Sequence, residues 1–112
     1  MSKLGLLKLN IKEANLTRKT SRFRMDPYST VKVAGHKLRS YTAKKADSRP
    51  TWNQEIQLKI VNEEDTIDIK IRDKKKLMKD PTIGETKLRL GDLCVEGLDK
   101  WFNLNYKGQT AG

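Results

Sequence analysis

Two segments of this sequence combine clustered cations with apolar residues, a composition that suits contact with an anionic surface. Residues 72–82 hold four lysines around Leu77-Met78, and residues 17–25 hold a second basic cluster around Phe23. Lysine and arginine pair with phosphates and carboxylates, and exposed apolar side chains insert between lipids. The surface could be lipid, protein or nucleic acid. The residues assigned to this predicted contact are Arg18, Lys19, Arg22, Phe23, Arg24, Lys74, Lys75, Lys76, Leu77, Met78 and Lys79.

The composition limits both the kind of protein and its partners. The 112 residues suffice for one domain with a single core, taken as residues 1–112, and the net charge of +10 favours phosphate groups or acidic protein patches. Cys94 is the one cysteine of the sequence, so no disulfide can form within the chain and a reducing compartment is expected. Apolar runs fall far short of the ~20 residues of a membrane span, and the start lacks a signal peptide or myristoylation motif. We expect a cytoplasmic protein at the periphery of a membrane or the cytoskeleton.

Alternation of apolar and polar residues predicts short strands along the chain. In the clearest strand, Ile67, Ile69 and Ile71 alternate with Asp68 and Lys70, which places the isoleucines on one face. Seven strands separated by turn signals are typical of an antiparallel sandwich, so we predict an all-β fold of seven or eight strands. The predicted strands cover residues 7–11, 28–34, 37–45, 52–61, 67–71, 86–90 and 101–106.

Three local expectations accompany this strand pattern. Residues 37–45 read as a basic strand, and residues 101–106 as a strand with core positions. Residues 90–98 hold at most a weak helical turn. Residues 107–112 are small and polar, so we expect them to fray.

Five short motifs follow one another along nearly the whole chain. Met25-Asp26-Pro27-Tyr28 and Pro50-Thr51-Trp52-Asn53-Gln54-Glu55 each sit beside a predicted strand, and Asp73 ends one. Ile83-Gly84-Glu85 opens the next strand, and Trp101-Phe102 with Leu104 comes last. Together and in this order they resemble the motifs of the C2 domain, the membrane-docking module of protein kinase C and synaptotagmin. The resemblance implies a β-sandwich whose loops meet the membrane.

The same resemblance bears on calcium. Many C2 domains bind calcium with several aspartates of their first and third loops, because calcium takes about six to eight oxygen ligands. Asp26 and Asp73 match two of those ligand positions, but Thr20, Lys75 and Pro81 stand at three others. Eight cations against three aspartates leave these loops at +5, which repels a divalent cation. We therefore expect no calcium, no other metal and no cofactor.

The matching aspartates and the apolar tips also have simpler explanations. Asp26 could cap the turn before Pro27, and Asp73 could pair with Lys74 or Arg72. The apolar tips could fold back as a small core beneath the loops, and the lysine run could be a solvated turn.

Lysine and arginine could supply permanently the positive charge that calcium supplies in other C2 domains. Each basic residue near an anionic leaflet contributes ~1 kcal/mol, so a charge of +5 contributes ~5 kcal/mol, which is weaker than ~100 µM binding. Burial of Phe23, Leu77 or Met78 contributes up to ~1.5–3 kcal/mol each, and partial insertion brings the sum to micromolar affinity. We predict a non-catalytic module that docks on anionic phospholipid without calcium.

A second basic group lies in residues 32–45. Lys37 and Arg39 are two apart and share one strand face, and Lys32 could lie opposite them across a hairpin. The resemblance implies a lysine-rich groove here that takes phosphoinositide headgroups in some relatives. The alternative is an outward sheet face kept basic for solubility. The predicted groove residues are Lys32, Lys37, Arg39, Lys44 and Lys45.

Other functions are less well supported. His36 beside a glycine and Cys94 in an apolar stretch do not make a catalytic arrangement, so we expect no enzyme. Nucleic acid is disfavoured because most aromatic residues occupy predicted core positions, leaving only Phe23 and Tyr41 for stacking. The main alternative is a scaffold or assembly component that docks on acidic protein surfaces, such as a cytoskeletal filament. An uncovered sheet edge could take part in such docking.

Overall fold

The predicted strands form an antiparallel β-sandwich. The computed structural model describes residues 5–20, 24–33, 36–60, 66–76, 79–89 and 101–112. Within those ranges the chain forms strands and no helix, which confirms the all-β prediction. The strands are β1 (Gly5–Glu13), β2 (Pro27–Val33), β3 (His36–Arg39), β4 (Thr51–Ile60), β5 (Thr66–Asp73), β6 (Thr82–Arg89), β7 (Asn105–Tyr106) and β8 (Gln109–Thr110).

The strands divide into two antiparallel sheets. β1 pairs with β4, and the other six strands follow the order β3-β2-β5-β6-β7-β8. Val31 of β2 pairs with Ile69 of β5, and Leu9 of β1 pairs with Ile56 of β4. The alternation read from the sequence therefore places apolar residues of both sheets in one interior.

The core has two parts, and one of them lies beneath the loops. Val31, Val33, Ile56 and Ile67 form one buried cluster. The other buried cluster contains Leu16, Met25, Trp52, Ile71, Ile83, Leu104 and Ala111. The indole of Trp52 donates a hydrogen bond to the carbonyl of Pro27 (3.2 Å), which ties β4 to the start of β2. The packed second cluster gives the loops at that end a rigid base.

The C-terminal residues are ordered by a hairpin, so the predicted fraying of residues 107–112 is wrong. β7 and β8 pair across a turn in which Lys107 and Gly108 both have positive φ, 49° and 81°. A two-residue hairpin turn that matches the twist of its strands requires positive φ at both central residues. Ala111 is fully buried, and its carbonyl accepts hydrogen bonds from the backbone of Thr17 (2.9 Å) and Arg18 (3.3 Å). The chain itself thus supplies an eighth strand.

The basic strand predicted for residues 37–45 ends at Arg39, so that prediction is wrong beyond this residue. The Ser40 hydroxyl accepts a hydrogen bond from the Ser29 backbone (2.8 Å), and Ala43 donates to the carbonyl of Pro27 (2.8 Å). Lys45 has φ of 56°, which strand geometry does not allow. Residues 40–50 therefore form a loop between β3 and β4.

The strand predicted for residues 101–106 is also shorter than expected. The strand itself is Asn105–Tyr106, and Leu104 before it is buried and forms backbone hydrogen bonds with Ala111 and Gly112 (both 2.8 Å). Trp101 is 61% exposed, so it does not occupy the core position expected of most aromatic residues. The helical turn predicted for residues 90–98 falls outside the described residues. No helix in the described ranges could cross a membrane.

Candidate functional site

Three loops meet at one end of the sandwich. Loop 1 (residues 14–26) follows β1, loop 2 (residues 40–50) follows β3, and loop 3 (residues 74–81) follows β5. The Asp26 carbonyl accepts a hydrogen bond from the Lys74 backbone (3.0 Å), which joins loops 1 and 3. The Asp26 carboxylate accepts one from the Lys45 backbone (2.5 Å), which joins loops 1 and 2. We call this the loop end. Of the predicted contact residues, Arg22, Phe23, Leu77 and Met78 lie outside the described residues.

The carboxylate of Asp73 links loops 1 and 3 from a buried position. Its side chain is 1% exposed. Oδ1 accepts a hydrogen bond from the Asp26 backbone (2.9 Å), and Oδ2 accepts one from the Thr20 hydroxyl (3.0 Å). The ammonium of Lys75 lies 2.9 Å from Oδ2. Asp73 therefore pairs with Lys75, and not with Lys74 or Arg72 as the simpler explanation proposed.

Asp26 acts across loops instead of within its own turn. Its carboxylate accepts a hydrogen bond from the backbone of Lys45, nineteen residues away. The expectation that Asp26 caps the turn before Pro27 is therefore wrong. Asp26 and Asp73 are the two positions that match calcium ligands in the sequence. In this structure both carboxylates accept hydrogen bonds from protein groups.

Asp80 attaches loop 3 to the outer face of β2. The Tyr28 hydroxyl donates to Oδ2 of Asp80 (2.5 Å), and the Lys75 backbone donates to Oδ1 (2.8 Å). Burial raises the pKa of Asp80, but these two hydrogen bonds and the charges of Lys74 and Arg39 outweigh it, so the pKa lies below its ordinary value. Burial and then the bond to Asp80 raise the pKa of Tyr28.

Asp47 is a structural link that the sequence did not reveal. It accepts a hydrogen bond from the Met25 backbone (3.2 Å) and pairs with the ammonium of Lys19 (3.2 Å). The hydrogen bond from Met25, followed by the Lys19 contact, lowers the pKa of Asp47 despite some desolvation. Because Met25 lies 22 residues away, no local pattern could have indicated this contact.

The side chain of Arg18 makes its contacts within the protein. Its guanidinium donates to the carbonyls of Thr82 (2.7 Å) and Ile83 (3.3 Å) and lies over the ring of Tyr106 at 3.7 Å. Of the predicted contact residues, Arg18 thus holds loop 1 against β6, whereas Lys19, Arg24, Lys74, Lys76 and Lys79 are exposed. Lys75 is half-buried on Asp73.

Loop 2 adds cations that sequence reasoning placed elsewhere. Lys44 and Lys45 are exposed in loop 2, so the strand position predicted for these two groove residues is wrong. Arg49 is exposed in the same loop and was not predicted. In the described residues of the three loops, together with Asp73 at the end of β5, ten lysines and arginines stand against four aspartates, a surplus of six positive charges. The described ranges contain no cluster of three or more His, Cys, Asp or Glu placed to hold a metal ion.

The remaining groove residues lie on the outward face of the β3-β2-β5 sheet. Lys32 pairs directly with Lys37, as the sequence suggested. Arg39 stacks on the ring of Tyr28 at 3.8 Å. Arg72 of β5 is the register partner of Tyr28 and extends this basic face. The sequence pattern could not show this extension, since nothing in it indicates that β5 pairs with β2.

Comparison with solved structures places this architecture among known domains. A C2 domain of RIM from Drosophila is 18% identical, with a TM-score of 0.78 over 93% of this chain and 94% of that one. A C2 domain of plant Extended Synaptotagmin 1 is 17% identical, with a TM-score of 0.79 over 96% and 88%. A structure with two C2 domains of Extended-Synaptotagmin 2 is 23% identical, with a TM-score of 0.81 over 96% of this chain and 38% of that one. Because these structures show the fold and the C2 domain family model matches residues 5–104, the chain belongs to the C2 domain family.

Proposed function

We propose that this C2 domain docks on anionic phospholipid membranes without calcium, through the exposed cations of its loop end. The role is non-catalytic, and the protein works in the cytoplasm at the periphery of a membrane. The observation that carries the proposal is the ammonium of Lys75 at 2.9 Å from the buried carboxylate of Asp73. A cation of the protein itself is thus paired with a carboxylate at a position that matches a calcium ligand in the family.

The charges around that pair support attraction to lipid headgroups. The described loop residues together with Asp73 carry a surplus of six positive charges, and most of the cationic side chains are exposed. At ~1 kcal/mol for each basic residue near an anionic leaflet, they contribute ~6 kcal/mol at low salt. That corresponds to binding weaker than ~10 µM, so we expect docking to need dense anionic lipid or insertion of the loop tips as well.

Vesicle flotation tests the proposal. The protein should float with phosphatidylserine vesicles and not with phosphatidylcholine vesicles, and a calcium chelator should leave the bound fraction unchanged. Binding should weaken steeply as salt rises, since screening shortens the reach of exposed charges. No flotation at any lipid composition, together with capture by an acidic protein surface, would favour the scaffold alternative.

A charge-reversal variant tests whether the membrane contact lies at the loop end. Lys76→Glu with Lys79→Glu should strongly weaken binding, because both side chains are exposed in loop 3. Lys74 and Lys75 are left unchanged so that Asp80 and Asp73 keep their partners. The matched control reverses two exposed cations at the far end of β6, Lys87 and Arg89, and should retain most of the binding. Equal losses in both variants would mean that net charge alone governs adsorption.

A second contact is proposed on the outward sheet face, where a phosphoinositide headgroup would bind. The side-by-side pairing of Lys32 with Lys37 and the Arg39 guanidinium held on Tyr28 support it. Lys32→Gln with Lys37→Gln should remove any extra affinity for vesicles that contain phosphatidylinositol bisphosphate. Binding to phosphatidylserine alone should persist in that variant.

A further inference from the structure

Tyr41 in loop 2 is a large aromatic side chain that the fold leaves outside the core. It is 54% exposed. Its hydroxyl donates a hydrogen bond to the backbone carbonyl of Trp52, and its own backbone N–H donates to Oε1 of Gln54 (2.8 Å). Both contacts are to β4, and Trp52 is buried in the core. The ring of Tyr41 is therefore held in one place while more than half of the residue remains in solvent.

The surroundings of Tyr41 are cationic and belong to the loop end. Lys44 and Lys45, three and four residues further along loop 2, are both exposed. On the other side, the guanidinium of Arg39 reaches the hydroxyl of Thr42 (3.4 Å). Loop 2 is bound to the start of β2 through the hydrogen bond from Ala43 to Pro27 (2.8 Å) and to loop 1 through the hydrogen bond from Lys45 to the Asp26 carboxylate (2.5 Å), so its position relative to the other basic loops is fixed.

We propose that Tyr41 is an interfacial anchor whose ring enters the headgroup region of the bilayer, so that loop 2 contributes an aromatic contact in addition to its cations. This inference rests on the proposed function and adds one residue to it. A tyrosine ring favours the boundary between water and hydrocarbon. The Tyr41 hydroxyl already has a protein acceptor, so the ring can leave water without stranding a polar group.

The arrangement favours lipid over a stacked nucleobase. Binding of single-stranded nucleic acid uses successive aromatic platforms beside a basic track. Among the described residues, Trp101 is the other strongly exposed aromatic side chain, and it lies outside the three loops. An isolated ring among lysines suits the mixed apolar and anionic environment of lipid headgroups.

Matched variants test the role of the ring. Tyr41→Ala should lower the affinity for phosphatidylserine vesicles about 3- to 10-fold, as expected for losing one partly inserted aromatic side chain. Tyr41→Phe keeps the ring and should stay within about 2-fold of the unmodified protein. The control Trp101→Ala removes a more exposed ring outside the loops and should leave the affinity unchanged. Equal effects of Tyr41→Ala and Trp101→Ala would overturn the inference.

A fluorescence measurement gives a readout that does not depend on affinity. In a Trp101→Phe background, Tyr41→Trp places an exposed indole in loop 2 while Trp52 stays buried. Vesicles with brominated acyl chains should quench this variant and leave the Trp101→Phe parent unquenched. Flotation without quenching at position 41 would overturn the role of Tyr41 alone, whereas absence of flotation in the unmodified protein would overturn docking itself. Loss of oligonucleotide binding in Tyr41→Ala, with vesicle binding intact, would overturn the lipid assignment in favour of stacking.

Discussion

The Nζ atom of Lys75 lies 2.9 Å from Oδ2 of Asp73, a carboxylate that is 1% exposed. The Thr20 hydroxyl shares that oxygen, and the Asp26 backbone occupies the other. Thr20 and Lys75 stand at positions where the family resemblance expects acidic ligands. Thr20 provides a hydrogen-bond donor and Lys75 a counter-charge, so groups of the protein itself pair with the buried carboxylate.

Removal of the counter-charge should destabilise the fold. In Lys75→Met the carboxylate of Asp73 keeps its two hydrogen bonds but loses its ammonium partner, and we expect a loss of about 1–3 kcal/mol in unfolding free energy. Urea denaturation followed by circular dichroism measures this loss. Lys76→Met, at an exposed neighbouring position, should change the stability by less than about 0.5 kcal/mol. Equal stability of the two variants would mean that the ammonium of Lys75 does not stabilise the buried carboxylate of Asp73.

Restoring carboxylates should restore calcium binding. Thr20→Asp with Lys75→Asp places two further acids beside Asp73 and Asp26 and removes the competing ammonium. Because calcium prefers clustered carboxylate oxygens, titration calorimetry should detect binding at about millimolar affinity or tighter. The control Thr20→Asn with Lys75→Asn removes the same groups without adding charge and should bind far more weakly. Micromolar calcium binding by the unmodified protein would contradict the account of Lys75.

The sequence predicted the strands well because period-two alternation is a local property. Val31, Val33, Ile67 and Ile71 each lie in the core as their spacing requires. The C-terminal hairpin was missed because Lys107 adopts a positive φ that its residue type does not indicate. Ala111 is buried between β6 and loop 1, and loop 1 lies about ninety residues earlier in the chain, so the local sequence does not indicate this burial.

The candidate site was predicted in part. The part that was missed depends on interactions between residues far apart in the sequence. Clustered charges in loops 1 and 3 are visible as composition, so the exposed Lys74, Lys76 and Lys79 were identified. The partners of Asp47 and Arg18 lie 22 and 64 residues away, and only the fold brings such groups together. Residues 40–45 of loop 2 were predicted as part of a strand because the bond from Ser29 to Ser40, just after the end of β3, also depends on tertiary structure.

The pH dependence of stability should reveal the bond between Tyr28 and Asp80. The folded pKa of Asp80 lies below its ordinary value, which is about 3.9 in unfolded chains. Its contribution is therefore complete above about pH 4 and is lost as the pH falls through the folded pKa. The contribution of Asp80 to the unfolding free energy should stay constant between about pH 7 and 5 and should decline below about pH 4. Asp80→Asn should be less stable at neutral pH and decline less steeply in acid; parallel curves would contradict the role of this carboxylate.

Gly84 should tolerate no side chain, because β6 and the C-terminal hairpin meet there. A Cβ atom at this position would lie 2.9 Å from the Cβ of Ala111 and 3.0 Å from the Cβ of Leu104. Both contacts are closer than carbon atoms normally approach, so Gly84→Ala must displace the hairpin, at a cost of about 1–3 kcal/mol. Denaturant titration measures the cost, and hydrogen exchange should show faster exchange at Ala111, whose N–H donates to Leu104. Thr86→Ala, two residues along the same strand, should leave exchange at Ala111 unchanged. If Gly84→Ala also left that exchange rate unaltered, the close packing of β6 against the hairpin could not be what holds the C-terminal residues in place.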